Sequence, residues 1–254
     1  GYAGAGGSIQ LTADNVSIDN RNGAQTISKG DGNAALVVNA KMLALGSGSY
    51  GLSGFSSTNL NASQGLKTEG QVDLGVNSDL NVTAPYITGG QGSSAAIDAS
   101  GYSITLASTG TTVTPEQQAR NGALNLESES KIDVSGRTVS IGNKKLTTDG
   151  GVISLAANNG SVGFVEGASM LLGGDHGGSL KLLVPRGQFS WVGTIDAKGN
   201  TSGSSFELAA GSAESIGNLG SMGSRLKASG FDDAIKLEAS TGNLILSSGA
   251  VSYT

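Results

Sequence analysis

Apolar residues recur along the chain in pairs separated by one residue. The pattern is clearest over residues 124–164, where five pairs start 8, 7, 14 and 9 residues apart: Leu124/Leu126, Ile132/Val134, Val139/Ile141, Ile153/Leu155 and Val162/Phe164. Successive side chains of a β-strand point to opposite faces, so each pair places two apolar side chains on one face. Polar turns rich in Gly, Ser, Asn and Asp separate the pairs. The pattern predicts very short strands that turn inward around a common core.

The same spacing continues outside this stretch. Further pairs include Ile9/Leu11, Val16/Ile18, Leu226/Ala228, Ile235/Leu237 and Leu244/Leu246. Three sides of about seven residues give a coil of roughly 20 to 22 residues, and the chain would then form about twelve coils. One coil cannot bury its own inner face, whereas stacked coils can, with main-chain hydrogen bonds running along the axis. The predicted fold is all-β: a parallel β-helix (β-solenoid), right-handed and three-sided.

Composition favours a narrow core over a wide one. The 254 residues include 42 Gly, and only 4% are aromatic, so few large side chains are available to fill a broad interior. Gly- and Ser-rich polar sequence is also typical of disordered linkers. A linker, however, has no reason to maintain apolar pairs with period two. We therefore expect a folded solenoid whose core is filled by Ile, Leu, Val and Ala.

Charge and cysteine content exclude several classes of protein. The net charge is −5 without runs of basic residues, so the sequence lacks the basic patch that nucleic-acid binding requires. No apolar run approaches the ~20 residues that span a bilayer. Cysteine is absent, which excludes disulfides and thiolate metal sites. Because the chain begins without Met and in mid-pattern, we expect residues 1–254 to be one continuous solenoid segment of a longer protein.

Three stretches interrupt the pattern, and we expect them to be surface insertions: residues 46–58, 114–120 and 173–191. The second, TPEQQAR, predicts one short helix, with Thr114 as its N-cap and Pro115 at its first position. Binding residues concentrate in surface loops. The candidate surface-binding residues are Tyr50, Phe55, His176 and Arg186.

His176 is the sole histidine, so a Ser-His-Asp triad or a multi-histidine metal site would have to be built around it. Its setting, GGDHGG, predicts an exposed turn, and Asp175 beside it would face the other way on a strand. Oxygen donors for calcium occur in Asp14/Asp19 and Asp232/Asp233. Neither the RTX nonapeptide nor an EF-hand loop is present, so the sequence assigns no metal site, cofactor or catalytic residue.

A polysaccharide lyase or hydrolase built on a β-helix is the enzymatic alternative. Such an enzyme needs clustered carboxylates, whereas the acids here are scattered singly through turns: Asp133, Asp149, Glu166 and Asp196. The intervals between the first three do not match a coil of roughly 20 to 22 residues. Phe189 and Trp191 are candidates for a sugar-stacking platform, but they alternate with Ile195 on one strand face, which favours core packing.

The repeating units include GGSIQLTADNVSIDN, GSSAAIDASGYSITLAS, SKIDVSGRTVSIG and GGVISLAANNGSV. Together they resemble the shaft repeats of filamentous haemagglutinin-like exoproteins, which are secreted through an outer-membrane partner by two-partner secretion. The secretion domain of that family carries NPNG- and NPNL-like motifs, and no Asn-Pro occurs in this chain. The resemblance therefore implies shaft rather than secretion domain. Autotransporter passengers and other bacterial adhesins share much of this style of repeat.

The resemblance implies a non-enzymatic structural or adhesive shaft of a secreted, cell-surface bacterial filament, used for adhesion, biofilm or extracellular fibre formation. The implied partners are the outer-membrane secretion protein and a host or neighbouring-cell surface or its glycans. A self-assembling fibre, in which open coil edges of successive chains pair end to end, is a further hypothesis.

Overall fold

The computed structural model describes residues 6–21, 32–85, 87–89, 94–99, 102–108, 124–126, 128 and 130–244. In this part of the chain, parallel strands stack as a β-solenoid of about eight turns, which confirms the predicted fold class. A complete coil contributes one strand to each of three sides, and the apolar core lies between the sides. The right-handed sense of the winding stays a prediction.

Side one is a parallel sheet that extends along the whole described stack. Its strands are hydrogen-bonded in chain order: β1 (Ser8–Ile18), β2 (Ala34–Leu45), β4 (Phe55–Thr68), β6 (Asp79–Ala84), β9 (Ile104–Ser108), β14 (Val152–Ala157), β18 (Ser179–Val184), β22 (Ser205–Ser212) and β23 (Ala234–Thr241). The first three strands are long because they bend at a corner and continue along side two. A register shift between Ala40 and Met42 marks this corner in the pairing of β2 with β4.

Sides two and three are built from shorter strands. Side two continues with β7 (Ile87–Gly89), β10 (Leu124–Leu126), β15 (Val162–Phe164) and β19 (Phe189–Trp191). Side three consists of β3 (Gly48–Leu52), β5 (Gln71–Val76), β8 (Ser94–Asp98), β11 (Lys131–Asp133), β16 (Ser169–Leu171) and β20 (Thr194–Asp196). We number each coil by its strand on side one, so coil 5 holds β9, β10 and β11, and coil 6 holds β14, β15 and β16.

Apolar side chains form rows inside the stack because the strands pair in register. One buried row on side one comprises Val38, Leu60, Val82, Leu106, Leu155, Leu182 and Leu208. Each row member is half of an apolar pair in the sequence, so the pairs build the core. On the outer face, the Nδ2 of Asn61 donates a hydrogen bond to Oδ1 of Asn39 at 3.0 Å. Side chains of successive coils therefore stack on the outer face as well as in the core.

The coils vary in length: some match the predicted length of roughly 20 to 22 residues, and others are longer. Asn39 and Asn61, which are register partners on side one, lie 22 residues apart. Ser161 and Gln188, which are hydrogen-bonded between successive coils, lie 27 residues apart. The step from Ser103 to its bonded neighbour Val152 takes 49 residues. Turns of different length join the sides, so the described residues form about eight turns, whereas the sequence predicts about twelve for the chain.

The longest step contains a hairpin that lies outside the winding. β12 (Thr138–Ile141) and β13 (Lys144–Thr147) pair antiparallel with each other, and Val139, Ile141 and Leu146 are exposed. The prediction that the pair Val139/Ile141 points into the core is wrong. The two strands satisfy each other's hydrogen bonds across a tight turn, so within the described residues neither joins the parallel stack.

Two of the three predicted insertions continue the winding instead. Residues 46–58 contain β3 and the start of β4, and residues 173–191 contain β18, β19 and a short strand, β17 (Gly174–His176). β17 pairs with β21 (Gly199–Ser202) of the next coil. The third stretch, 114–120, lies outside the described residues, as does the short helix predicted there.

Gly46 and Gly48, at the start of residues 46–58, indicate close stacking rather than a loop. A Cβ atom at Gly48 would lie 2.2 Å from the main-chain oxygen of Asn20 in the preceding coil, so no larger residue fits there. Two residues later, Tyr50 is in register with Leu74, which points inward. Tyr50 is therefore buried, and its predicted role as a surface-binding residue is wrong.

A helix that the apolar pattern did not predict, α1 (Leu219–Ser229), follows β22 and a single 3-10 turn, Ala213–Ser215. The side chain of Asn218 caps its N-terminus by accepting a hydrogen bond from the backbone N–H of Ser221 at 3.0 Å. Gly230 ends the helix with a φ of 96°, a left-handed conformation that glycine adopts without strain. Both caps were visible in the sequence.

The helix packs its apolar side against the end of the core. Leu226 and Phe231 are buried, and Met222 packs against the core one helical turn before Leu226. The rings of Phe231 and Phe206 meet edge to face with centroids 5.4 Å apart. The prediction of a strand pair at Leu226/Ala228 is wrong, because side chains one turn apart on a helix fill this part of the core.

Candidate functional site

Three ionisable side chains from coils 5 and 6 meet at the corner that precedes side one. The Nδ1 of His176 lies 2.8 Å from Oδ1 of Asp149 and 4.0 Å from Oδ2 of Asp175. One ligand atom from each residue lies within 4.8 Å of the other two. Asp149 follows the hairpin of coil 5, and His176 comes 27 residues later, at the matching position of coil 6. Stacking, rather than a local motif, creates the cluster.

The local backbone brings two sequence neighbours to the same cluster. The pairing of β17 with β21 shifts register between Gly174 and His176, and such irregularities redirect side chains. Asp175 and His176 therefore approach each other, and the prediction that they would face opposite ways is wrong. The backbone N–H of Asp175 donates to the main-chain oxygen of Thr148 at 3.0 Å. The Oγ1 of Thr201 donates to Oδ1 of Asp175, also at 3.0 Å, so this carboxylate is held from the next coil.

The hydrogen bond between His176 and Asp149 changes the proton affinity of both groups. The bond, followed by the charge of Asp149, raises the pKa of His176 above its ordinary 6.5. The same bond lowers the pKa of Asp149 below its ordinary 3.8. Both residues are exposed. The arrangement is therefore an accessible imidazole–carboxylate pair with a second carboxylate beside it.

An open cleft adjoins this cluster, with a volume of about 480 Å³. Its walls include Asp79, Tyr102, Arg137 and Asp149. The guanidinium carbon of Arg137 lies 5.1 Å from the ring centroid of Tyr102, and its Nη2 donates to Oδ1 of Asn77 at 2.9 Å. The cleft thus combines two carboxylates, a ring and a cation, a set of groups suited to a polar ligand such as a sugar.

The predicted surface-binding residues do not converge on one site. Phe55 is half-buried at the start of β4 and packs against the core. Arg186 is exposed in the turn after β18, and its guanidinium donates to Oδ1 of Asn159 in the preceding coil. Only His176 lies in the cluster described above.

Trp191 belongs to the core and not to a sugar platform. It is in register with Phe164 on side two and is buried, which confirms the preference for core packing. Its Nε1 donates to the main-chain oxygen of Gly193 at 2.9 Å. The guanidinium carbon of Arg225 on α1 lies 4.4 Å from its ring centroid, so the helix covers it.

Three of the other acids that the sequence offered, Asp14, Asp19 and Asp133, have structural partners. The Nζ of Lys41 lies 2.9 Å from Oδ2 of Asp14, and Nε of Arg21 lies 3.2 Å from Oδ2 of Asp19. Asp133 is buried; burial alone would raise its pKa, but hydrogen bonds from Lys131 and Ser135 lower it below its ordinary value. These carboxylates face cations or donors within the fold, as structural acids do.

Sequence reasoning missed Asp149 as the partner of His176, and it missed Tyr102 and Arg137 as residues of the adjoining cleft. Their positions give no common interval, because the longest coil separates side chains that the stack then brings together. A usable signal was the interval of 27 residues between Asp149 and His176. The predicted coil of roughly 20 to 22 residues is too short to place these two residues at matching positions of successive coils.

Comparisons with protein-family models, curated proteins and solved structures found no match. The resemblance to haemagglutinin-like shafts therefore depends on the repeat pattern. Across the described residues, no helix is both long and apolar enough to cross a membrane.

Proposed function

We propose that this chain is a non-enzymatic structural and adhesive shaft of an exported bacterial surface filament of the filamentous haemagglutinin-like kind. The observation that carries the proposal is the continuous parallel sheet of side one, which links β1 to β23 through in-register pairing. At a strand spacing of ~4.8 Å, its nine strands extend over roughly 40 Å. A solenoid of this kind serves as a rigid spacer, because every coil is held by main-chain hydrogen bonds along the axis.

The stacked core supports the same role. Each coil buries apolar pairs only against its neighbours, so stability accumulates coil by coil and the rod can be lengthened without redesign. Turns can vary in length without disturbing the register, as the steps of 22 and 27 residues illustrate. Such a scaffold presents surface turns at a distance from a cell. The proposed partners are an outer-membrane secretion protein and a host or neighbouring-cell surface or its glycans.

The experiment is a test of location and attachment in the producing cell. An antibody against the purified chain is expected to label intact cells or the culture medium. Cells that lack the chain are expected to attach less well to surfaces or to neighbouring cells. When these cells are given the chain that carries both Asp79→Asn and Asp149→Asn, attachment should return, because the proposed shaft function does not use the cleft. Retention of the chain inside the cell would contradict the proposal.

The enzymatic alternative is a β-helix enzyme that cleaves acidic polysaccharide. The cleft favours it, because Asp79 and Asp149 lie there with Tyr102 and Arg137, and a guanidinium suits a sugar carboxylate. Viscosity loss and new reducing ends are measured with purified chain and polyuronates. Activity that disappears in Asp149→Asn and in Arg137→Gln would establish the enzyme and displace the shaft as the main function.

Self-association into a fibre is one form that the proposed structural role can take. Among the described residues, β1 and β23 are paired along one edge only, and Ile9, Leu11 and Ile235 are exposed there. Open edges of this kind favour pairing with another chain. Light scattering after size-exclusion chromatography should show mass that rises with concentration and falls in Leu11→Lys. A single monomeric mass at all concentrations would remove this variant.

A further inference from the structure

We infer that Asp149, Asp175 and His176 form a binding site for a divalent transition-metal ion of the zinc type, which clamps coil 5 to coil 6. The inference is independent of the proposed shaft function. It concerns a mixed imidazole and carboxylate donor set, with one nitrogen and two oxygen ligands on the same side of the stack.

The distances between the donor atoms suit tetrahedral coordination. Zinc binds imidazole nitrogen at about 2.0–2.1 Å and carboxylate oxygen at about 2.0–2.2 Å, which places two ligand atoms of a tetrahedron about 3.4 Å apart. The His176 Nδ1 lies 2.8 Å from the Asp149 oxygen and 4.0 Å from the Asp175 oxygen. These values lie on either side of the required separation. Each of these two separations would have to change by about 0.6 Å to reach that value, and rotation of the exposed side chains supplies such a change.

The type of donor selects the class of metal. One imidazole with two carboxylates suits zinc, cobalt or nickel, whereas calcium takes six to eight oxygen ligands. The metal would take the place of the proton that His176 and Asp149 share, because a ligating imidazole is neutral. Water would complete the coordination, since His176 and Asp149 are exposed.

The surrounding backbone already fixes the ligands. The backbone N–H of His176 donates to Oδ1 of Asp149 at 3.2 Å, and the main-chain oxygen of His176 accepts from Gly150 N–H at 2.9 Å. Thr201 holds the far oxygen of Asp175, which leaves Oδ2 facing the imidazole. Outer hydrogen bonds of this kind orient metal ligands and strengthen binding.

The histidine gives a direct readout because the chain has only one. Untagged chain labelled with ¹⁵N at histidine is titrated with zinc sulfate, and the imidazole nitrogens are followed by NMR. We expect one saturable transition at His176 and one zinc ion per chain by calorimetry. Cobalt(II) should give visible absorption of a low-coordinate site. The melting temperature should rise with zinc, because the ligands come from two coils.

Matched variants separate this site from general acidity. His176→Gln and Asp175→Asn are expected to weaken zinc binding at least about tenfold, with unchanged circular dichroism in metal-free buffer. Asp233→Asn alters an exposed acidic pair that contains no histidine and should leave the affinity unchanged. An imidazole signal that does not respond to zinc would overturn the inference and leave only an ion pair. Equal affinity in His176→Gln would overturn it as well.

Discussion

Of two apolar pairs that follow each other in the sequence, one is buried and the other is exposed. Ile153 and Leu155 of β14 are 0% and 1% exposed, whereas Val139 and Ile141 of β12 are 49% and 65% exposed. Both pairs have the same spacing, and a serine separates the two apolar residues in each, Ser154 in the first and Ser140 in the second. The difference is in their strand neighbours. β14 pairs in parallel with β9 and β18 on its two edges, whereas β12 pairs antiparallel with β13.

The comparison teaches that an apolar pair enters the core only when coils above and below share its register. The β12–β13 segment lacks that support because Gly142 and Asn143 turn the chain back immediately, with Gly142 at a φ of 60°. Two strand-like runs separated by Gly-Asn are a known hairpin signal. The sequence therefore contained the information that this pair differs.

The largest expected effect comes from removing a buried member of the inward pair. Leu155→Ala should lower the free energy of unfolding by about 3 kcal/mol, because it leaves a cavity in a row of stacked side chains. Leu146→Ala in the exposed hairpin should change it by less than about 0.5 kcal/mol. Urea denaturation followed by circular dichroism measures both. Equal losses for the two variants would contradict the exposed position of the hairpin.

Glycine substitutions test the spacing between coils. A Cβ at Gly151, just before β14, would lie 1.8 Å from the main-chain oxygen of Tyr102 in coil 5. Gly151→Ala should therefore cost about 2 kcal/mol by forcing the coils apart. Gly142→Asn is the control: nothing lies within 4 Å of the added Cβ, and Asn tolerates the left-handed backbone. If Gly142→Asn lowered the melting temperature as much as Gly151→Ala, the hairpin turn would be packed against other residues.

Removing the hairpin should have a smaller effect. The backbone N–H of Arg137 donates to Oγ1 of Thr148 at 2.8 Å. The backbone N–H of Thr148 donates to the main-chain oxygen of Arg137 at 2.9 Å. These two hydrogen bonds close the base of the hairpin without help from residues 138–147. Replacing residues 138–147 by two glycines should change the free energy of unfolding by less than about 1 kcal/mol. Loss of cooperative unfolding would instead assign the hairpin to the structural core.

The smallest effect concerns protonation at the junction between the hairpin and coil 6. In metal-free buffer, the imidazole of His176 should titrate above 6.5, because Asp149 stabilises its charged form. Its contribution to stability is then fully present below pH 6.5 and disappears as the pH rises through the folded-state pKa. The lowered pKa of Asp149 acts oppositely: its contribution is present above pH 3.8 and is lost as the pH falls further.

NMR titration of the single imidazole measures this effect. Asp149→Asn should return the pKa of His176 towards its ordinary value, whereas Glu166→Gln, an exposed acid on another turn, should not. An identical titration curve in Asp149→Asn would mean that the two side chains do not interact in solution.

The fold was predictable because a pair such as Ile153 and Leu155 carries its own evidence: alternation along a strand is local and survives any change in turn length. The site was not predictable in the same way. His176 meets Asp149 because this coil takes 27 residues, and it meets Asp175 because the ladder shifts register at β17. Neither the length of a turn nor a register shift follows from the identity of the residues that eventually touch.

By itself, the sequence determined the strand spacing, the narrow aliphatic core and the need for coils to stack, since each follows from side-chain alternation and the burial of apolar surface. The tertiary structure decided which pairs point inward, where α1 replaces strands, and which polar side chains become neighbours across coils. The physical reason is range. Alternation acts between next-but-one neighbours along a strand, whereas stacking joins positions as far apart as Ser103 and Val152, and only the assembled turns fix those distances.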